Sequence, residues 1–249
     1  MLTGPDVLLV TGGSRGIGAA IVRKAARDGY AVGFSYVRNG DAAARLVAEL
    51  DQAGHRAHAV QGDVADPDFA ARFFDAAEAA LGPATALVNN AGITGRIGRF
   101  RDADPAMLRS TLDTNVLGTM YAAQEAIRRW EAAGIPGRMV NISSIASTLG
   151  APGEYVHYAA TKAAVEAFTI GLAKEVAPAG IRVAAVAPGT AYTDIHEAAG
   201  EPNRPARVVS RVPMGRIAEP EEIANAVLWL LSAEASYVTG AVLRVSGGL

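Results

Sequence analysis

The chain of 249 residues contains no cysteine, and this absence excludes several kinds of chemistry. Disulfide bonds, thiolate metal sites and thiol nucleophiles all require that residue. The charges nearly balance, with 23 Lys and Arg against 25 Asp and Glu, so the chain lacks the basic excess that is typical of nucleic-acid-binding proteins. We therefore expect neither a reactive thiol nor a nucleic-acid partner.

Long apolar runs are also missing. No stretch reaches the roughly 20 apolar residues that a membrane-spanning helix needs. Residues 1–6 show neither the basic start nor the apolar run of a signal peptide. Aromatic residues are few, at 6%, whereas half of the residues are hydrophobic and 27 are glycine. These features predict a well-buried, soluble, cytoplasmic protein with many tight turns and no membrane partner.

Short apolar runs alternate with helical patterns along the whole chain. Runs at 7–10, 31–36, 57–60, 84–88, 138–142, 181–186 and 242–245 are typical of strands that are buried on both faces. Helical periodicity lies between them, at 19–29, 42–50, 69–81, 105–131, 158–177 and 220–231. This repetition predicts one α/β domain over residues 1–249, with a doubly wound parallel sheet and helices on both faces. Ligands bind such sheets at the carboxyl ends of the strands.

A glycine-rich turn, Thr11-Gly12-Gly13-Ser14-Arg15-Gly16-Ile17-Gly18, connects the first predicted strand to the first helix. In this context the glycines let the main chain approach a pyrophosphate, and the helix N-terminus offers free N–H groups. No Lys followed by Ser or Thr is present, so the turn is not a Walker A loop. The turn predicts dinucleotide binding; an ordinary glycine-rich turn is the alternative interpretation.

The end of the second predicted strand bears on the choice of cofactor. An NAD site usually has an acidic residue there, but this chain continues Val37-Arg38-Asn39. Arg38, assisted by Arg15, is suited to a 2′-phosphate, which favours NADP over NAD. A solvated loop charge is the alternative interpretation of Arg38. After the third strand, the carboxylate of Asp63 and the N–H of Val64 are candidates for the adenine edge.

Tyr158 and Lys162 are four residues apart in a helical pattern, so they share one face of the helix. An ammonium beside a phenol favours the phenolate, and we expect Lys162 to lower the pKa of Tyr158 and make it a general acid. A surface tyrosine with a solvated lysine is the alternative. Asn115 interrupts another apolar helix and needs hydrogen-bond partners if it is buried.

Residues 190–213 break the rhythm of strands and helices and are predicted to form an irregular lid over a binding site. The charges of the lid favour either an oxygen-rich or anionic substrate or simple solvent exposure, and His196 is expected to be exposed. His55 and His58 have no obvious carboxylate partner, so no metal site is expected.

These segments together resemble the short-chain dehydrogenase/reductase family, in the single-domain branch that includes 3-oxoacyl-carrier-protein reductases and glucose 1-dehydrogenase-like enzymes. The likeness runs from the first strand to the last residues. It rests on residues 11–18, on Asn89-Asn90-Ala91-Gly92, on the ordered set Asn115, Ser144, Tyr158 and Lys162, and on Pro188-Gly189 and Thr193. One departure is Ser246 in Val245-Ser246-Gly247-Gly248, where many members have Asp.

The resemblance implies a Rossmann-type oxidoreductase that transfers a hydride between NADP and a small-molecule carbonyl or alcohol. Tyr158 would be the general acid/base, with Lys162 lowering its pKa and bonding the nicotinamide ribose. Ser144, rather than its neighbour Ser143, would bind the substrate oxygen, and Asn115 would hold a water that links Lys162 to solvent. The residues expected to bind the cofactor are Gly12, Ser14, Arg15, Gly16, Ile17, Gly18, Arg38, Asp63, Val64, Asn89, Ala91, Gly92, Tyr158, Lys162, Pro188, Gly189 and Thr193.

The family commonly forms tetramers, so the resemblance also implies a homotetramer. Two other functions remain open from the sequence. One is a catalytically silent, NADP-binding regulatory protein of the same fold, against which the intact Ser144, Tyr158 and Lys162 argue. The other is a different reaction on the same fold, such as epimerisation or dehydration, which the absence of an appended substrate domain disfavours.

Overall fold

The computed structural model describes residues 6–249. The prediction that the N-terminus is not a signal peptide concerns residues 1–6, most of which lie outside the described residues. Seven strands form one sheet in the order β3-β2-β1-β4-β5-β6-β7, and every neighbouring pair is parallel. The strands are β1 (Val7–Val10), β2 (Ala31–Tyr36), β3 (Ala57–Gln61), β4 (Ala86–Asn89), β5 (Arg138–Ile142), β6 (Arg182–Pro188) and β7 (Val242–Val245).

Helices connect the strands and cover both faces of the sheet, as parallel pairing requires. They are α1 (Gly16–Arg27), α2 (Gly40–Gln52), α3 (Phe69–Leu81), α4 (Pro105–Leu112), α5 (Gly118–Ala133), α6 (Ala146–Leu149), α7 (Val156–Val176), α8 (Ile195–Ala198), α9 (Arg204–Val208) and α10 (Pro220–Leu231).

The first strand shows how the sheet is buried. Leu8 and Val10 pack into one core with α1, α2 and α10, whereas Val7 and Leu9 pack into the opposite core with α3, α5 and α7. All four side chains are at most 2% exposed. Successive residues of a strand point to opposite faces, so a continuous apolar run is what a sheet covered on both sides requires.

The order in which strands are added to the sheet reverses at β1. From β1 the chain moves outward through β2 and β3, then returns to β4 on the other side of β1. The carboxyl ends of β1 and β4 therefore flank a crevice, which is where a doubly wound sheet binds its ligand. The predicted doubly wound domain is confirmed, and β1, β2, β5 and β7 have the predicted bounds.

Two predicted segments differ from the structure. The single helix expected over 105–131 is interrupted by a π turn, Asp113–Leu117, which lies between α4 and α5 and contains Asn115. Such turns inside helices are frequent at functional sites. The segment 190–213, expected to be irregular, contains the short helices α8 and α9. Within residues 6–249, no helix has both the length and the apolarity to cross a bilayer.

Candidate active site

A cleft of about 860 Å³ opens at the carboxyl ends of the strands. Its wall includes most of the residues expected to bind cofactor or substrate. Two of the expected residues, Asn89 and Asn115, do not line it. Those that do are Gly12, Ser14, Arg15, Gly16, Ile17, Gly18, Arg38, Asp63, Val64, Ala91, Gly92, Ser144, Tyr158, Lys162, Pro188, Gly189 and Thr193.

The glycine turn forms one end of the cleft. Gly12 and Gly16 adopt positive φ angles, of 65° and 52°, which other residues rarely adopt. A Cβ atom at Gly18 would collide with the carbonyl oxygen of Gly12 and lie 2.6 Å from Nδ2 of Asn90. No side chain caps the N-terminus of α1, and its first turn contains no acidic residue. The turn therefore leaves free N–H groups and the positive end of the helix dipole for an anion.

Asn90, the residue after β4, holds this turn in place through hydrogen bonds. Its side chain donates to the carbonyl oxygens of Thr11 and Gly12, over 3.0 and 2.9 Å, while its own N–H donates to the Thr11 hydroxyl over 3.0 Å. Asn89 is 3% exposed and donates instead to Asn141 on β5, over 2.9 Å. The expectation that Asn89 faces the cofactor differs from this placement, because adjacent residues at a strand end point to opposite sides.

Two cations follow the carboxyl ends of β1 and β2, one of them in the glycine turn itself. Arg15 and Arg38 are exposed, line the cleft and form no ion pair within residues 6–249. Asn39 accepts a hydrogen bond from the N–H of Ala42 over 3.1 Å and so caps α2. No carboxylate follows β2 before Asp41, which lies in the first turn of that helix.

Ser144, Tyr158 and Lys162 meet at the floor of the cleft. Tyr158 lies in the first turn of α7 and is 8% exposed, and Lys162, one turn later, is 4% exposed. The Lys162 ammonium donates to the carbonyl oxygen of Ile142, at the end of β5, over 2.7 Å. Ser143, by contrast, donates to Glu166 over 2.7 Å. Ser144 is thus the serine beside the phenol.

Burial dominates the electrostatics of this group. Burial raises the pKa of Tyr158 and the neighbouring Tyr155 raises it further, while the Ser144 hydroxyl and the charge of Arg204 act to lower it. Burial likewise lowers the pKa of Lys162, to about 8. Lys162 Nζ lies 5.7 Å from the centroid of the Tyr158 ring. In this structure burial outweighs the groups that lower the Tyr158 pKa, and Lys162 is not one of those groups. The lowering of the Tyr158 pKa by Lys162 therefore stays a prediction.

Asn115 lies behind the cleft wall and is fully buried. Its Nδ2 donates to the carbonyl oxygen of Ile93 over 2.8 Å and to the Thr161 hydroxyl over 3.0 Å, and its Oδ1 accepts from the Ile93 N–H over 2.8 Å. A Cβ atom on Gly92 would lie 3.3 Å from Asn115 Oδ1 and 3.4 Å from Lys162 Nζ. The Asn115 amide is thus committed to protein partners, and it holds the strand 4 loop against α7.

The segment 190–213 covers the remaining side of the cleft. A Cβ atom on Gly16 would lie 3.2 Å from Cγ2 of Thr193, so the segment touches the glycine turn. His196, expected to be exposed, is 8% exposed and its Nε2 lies 3.0 Å from the Ala191 carbonyl oxygen. Burial lowers the pKa of His196. Its short helix α8 turns the ring inward, which the sequence did not indicate.

Glu154 and Tyr155, for which the sequence indicated no role, also line the cleft, together with Arg204, one of the charges of the lid. Glu154 and Arg204 form a partly buried ion pair across 50 residues of chain. No sequence pattern relates positions so far apart, so only the fold reveals this pair. Among residues 6–249, no three His, Asp or Glu side chains are grouped to hold a metal ion.

Comparisons with known proteins agree with this geometry. A family model described as "Enoyl-(Acyl carrier protein) reductase" matches residues 12–249. The uncharacterized oxidoreductase YgfF of Escherichia coli is 44% identical over 97% of this chain and 99% of its own length. The L-rhamnose 1-dehydrogenase (NAD(P)(+)) of Azotobacter vinelandii is 39% identical over 100% of this chain and 98% of its own.

A solved structure extends the likeness to three dimensions. The crystal structure of a blue fluorescent protein from a metagenomic library, in complex with NADPH, is 36% identical with a TM-score of 0.89. The match covers 98% of each chain. The relatives and this structure therefore share the fold over essentially the whole domain.

Proposed function

The chain belongs to the short-chain dehydrogenase/reductase family, and we propose that it is an NADP-dependent oxidoreductase acting on a small-molecule carbonyl/alcohol pair. One observation carries the proposal. Ser144 and the buried side chains of Tyr158 and Lys162 are brought together on the wall of a cleft whose far end is the glycine turn. A dinucleotide and a small substrate are the ligands that this combination of cradle and phenol suits.

The glycine turn fits the pyrophosphate of the cofactor. Gly18 has no room for a side chain, and the uncapped N-terminus of α1 offers N–H groups to an anion. Arg38 and Arg15 are suited to the additional 2′-phosphate of NADP, and Asp63 and Val64 to the adenine. When bound, the nicotinamide supplies the hydride. Pro188, Gly189 and Thr193 line the cleft where that ring would be held.

Tyr158 would exchange a proton with the substrate oxygen. Because burial raises its pKa, the phenol is neutral near pH 7 and has a proton to donate when a carbonyl is reduced. Ser144 would donate a hydrogen bond to the same oxygen and stabilise its developing charge. Lys162 would supply a cation beside the phenolate that forms. Asn115, which does not line the cleft, would fix the position of the Ile93 loop relative to α7 through its hydrogen bonds to Ile93 and Thr161.

We further propose that residues 190–213 form a substrate lid and that the protein is a cytoplasmic homotetramer. Thr193, His196 and Arg204 line the cleft, which supports the lid. Ile170 on α7 and Trp229 on α10 are large apolar side chains, each 40% exposed, which supports burial against other copies. The relative named L-rhamnose 1-dehydrogenase (NAD(P)(+)) supports a hydroxylated or carbonyl small molecule as substrate.

The proposal is tested by titrating the purified protein with NADPH and NADH, and then supplying a panel of sugar, acyl, steroid and quinone carbonyls. We expect NADPH to bind and at least one carbonyl to consume it. Gly18→Ala should abolish binding, because its methyl group meets Gly12 and Asn90, whereas Gly171→Ala, with nothing within 4 Å, should bind as the wild type does. Equal binding by both variants, or none by the wild type, would refute the cofactor site.

A further inference from the structure

The loop before α7 and the short helix α9 are joined by a partly buried ion pair. Nε and Nη2 of Arg204 donate to Oε2 of Glu154, over 2.9 and 2.8 Å. The two side chains are 12% and 13% exposed. A pair that is partly withdrawn from water costs more desolvation energy than an exposed pair, so its position beside the cleft points to a role other than stability.

Arg204 also contacts the aromatic side chain next to Glu154. Its guanidinium carbon lies 5.1 Å from the centroid of the Tyr155 ring, within the range of a cation–π interaction. The Tyr155 ring in turn meets the Tyr158 ring edge to face, with centroids 5.3 Å apart and planes at 84°. Glu154, Arg204, Tyr155 and Tyr158 therefore form a continuous series of contacts that ends at the phenol.

The ion pair is held on both sides. The second carboxylate oxygen of Glu154 accepts from Arg207 over 2.8 Å, and the Glu154 carbonyl oxygen accepts from the N–H of Gly98 over 2.8 Å. Burial and the two arginines act in opposite directions on Glu154, and the net effect lowers its pKa, so its carboxylate is ionised. The lid, the Gly98 loop and the start of α7 thus meet at Glu154, the lid through its carboxylate and the Gly98 loop through its backbone carbonyl oxygen.

We propose that Glu154 and Arg204 are positioning residues, which hold Tyr155 against Tyr158 and so fix the phenol in its reactive position when residues 190–213 cover the cleft. This inference rests on the proposed function, since it assigns a task to Tyr158. Neither Glu154 nor Arg204 is proposed to contact the substrate. The pair sets the orientation of the phenol through Tyr155. It also sets the electric field at the phenol oxygen, because the two members carry opposite charges and only Arg204 faces the tyrosine rings.

The other polar groups that face Tyr158 come from three elements. Lys162 lies on its own helix, Ser144 follows β5, and Tyr155 precedes the helix. Lys162 and Ser144 form no hydrogen bond with the ion pair, whereas Tyr155 is the residue through which the pair acts. A unit charge about 10 Å away at an effective dielectric constant of about 20 moves a pKa by about one unit. Removing one member of the pair should therefore move the pH profile, and the direction should depend on which member is removed.

The test compares Arg204→Gln and Glu154→Gln in the reduction direction. Without the cation, the phenolate is less stable, so the alkaline limb of the kcat profile should move to higher pH by about one unit. Without the anion, the uncompensated Arg204 should move it to lower pH by a similar amount. Both variants should lose about tenfold or more in kcat through misplacement of the phenol, with the Kd for NADPH unchanged within about twofold.

Two further variants separate positioning from a structural role. Arg204→Lys keeps the charge and should restore the wild-type pH profile, although not the full kcat, because an ammonium lacks the planar fork. Arg129→Gln removes an arginine that likewise binds carboxylates and lies 5.3 Å from a ring centroid, that of Phe74, away from the cleft. It should leave the pH profile unchanged. Shifts of the same sign in Arg204→Gln and Glu154→Gln, or no shift in either, would overturn the proposal.

A second measurement needs no turnover. In cofactor-free protein carrying ¹³C-labelled tyrosine, the ring signals of Tyr158 are assigned by their loss in Tyr158→Phe. They should move in Arg204→Gln and stay in place in Arg129→Gln, because ring-current shifts report the contact with Tyr155. Unmoved Tyr158 signals in Arg204→Gln would refute the positioning role. A wild type that reduces no carbonyl while these signals do move would refute the proposed function and leave the contact series established.

Discussion

Asn115 donates a hydrogen bond to the hydroxyl of Thr161 over 3.0 Å, and this bond joins the π turn to the helix that carries Tyr158 and Lys162. Both residues are at most 1% exposed. The same amide group binds the N–H and carbonyl oxygen of Ile93, in the loop after β4. One side chain thus joins the π turn, the loop after β4 and α7 next to the floor of the cleft.

Asn115→Ala should therefore destabilise the protein strongly. It leaves the N–H and the carbonyl oxygen of Ile93 without their partner, while the Thr161 hydroxyl keeps its bond to the Tyr158 carbonyl oxygen. Each unpaired group costs about 1–3 kcal/mol. We expect the free energy of unfolding in urea to fall by about 3 kcal/mol and kcat to fall with it. The control is Asn225→Ala, at an exposed position of α10, which should leave both unchanged. An Asn115→Ala protein as stable and active as the control would remove this residue from the account.

The preference for NADP should depend on the end of β2. Val37→Asp combined with Arg38→Ala removes a cation suited to the 2′-phosphate and supplies a carboxylate for ribose hydroxyls. The ratio of NADH to NADPH affinities should rise by at least about tenfold, since a hydrogen bond to a charged group is worth about 1.5–3 kcal/mol. Arg45→Ala, another exposed arginine nearby on α2, should leave the ratio unchanged. A fixed ratio in the double variant would contradict the assignment of Arg38.

The buried Lys162 should make stability depend on pH. Its pKa is about 8 in the folded protein, against an ordinary value of 10.5, so between these limits the unfolded chain holds a proton that the folded one has lost. Stability therefore rises with pH over this window, and below pH 8 the buried ammonium costs about 3 kcal/mol. Lys162→Met removes the cost, so its advantage over the wild type in urea unfolding should shrink between pH 8 and pH 10.5. A constant difference in unfolding free energy would show that burial does not perturb this lysine.

The sequence predicted the sheet because its strands are buried on both faces, and such strands are unbroken apolar runs. It also predicted that Ser144, Tyr158 and Lys162 converge, because each lies near the carboxyl end of a parallel strand or at the start of a helix that follows one. The family resemblance favoured Ser144, and alternation along the strand implied that only one of the two serines reaches the site. The hydroxyl of Ser143 turns away to Glu166.

What the sequence missed depends on contacts between distant segments. The pairing of Glu154 with Arg204, the inward turn of His196 and the partners of Asn115 follow only from the folded chain. The acidity of Tyr158 was predicted from a spacing of four residues, which shows proximity and says nothing of the burial that raises the pKa here. Asn89 was assigned to the cofactor, whereas the end of β4 directs its side chain to Asn141 and leaves Asn90 to hold the glycine turn.

The role of Tyr158 as the proton donor is the central claim, and Tyr158→Phe tests it most directly. The change removes one oxygen from a buried side chain and leaves the ring in contact with Tyr155. The measurement is kcat with the carbonyl found in the panel, beside the Kd for NADPH. We predict that kcat falls by about 10²–10⁴-fold, the range that general acid catalysis contributes, while the Kd stays within about threefold of the wild-type value. An unchanged kcat would contradict the mechanism.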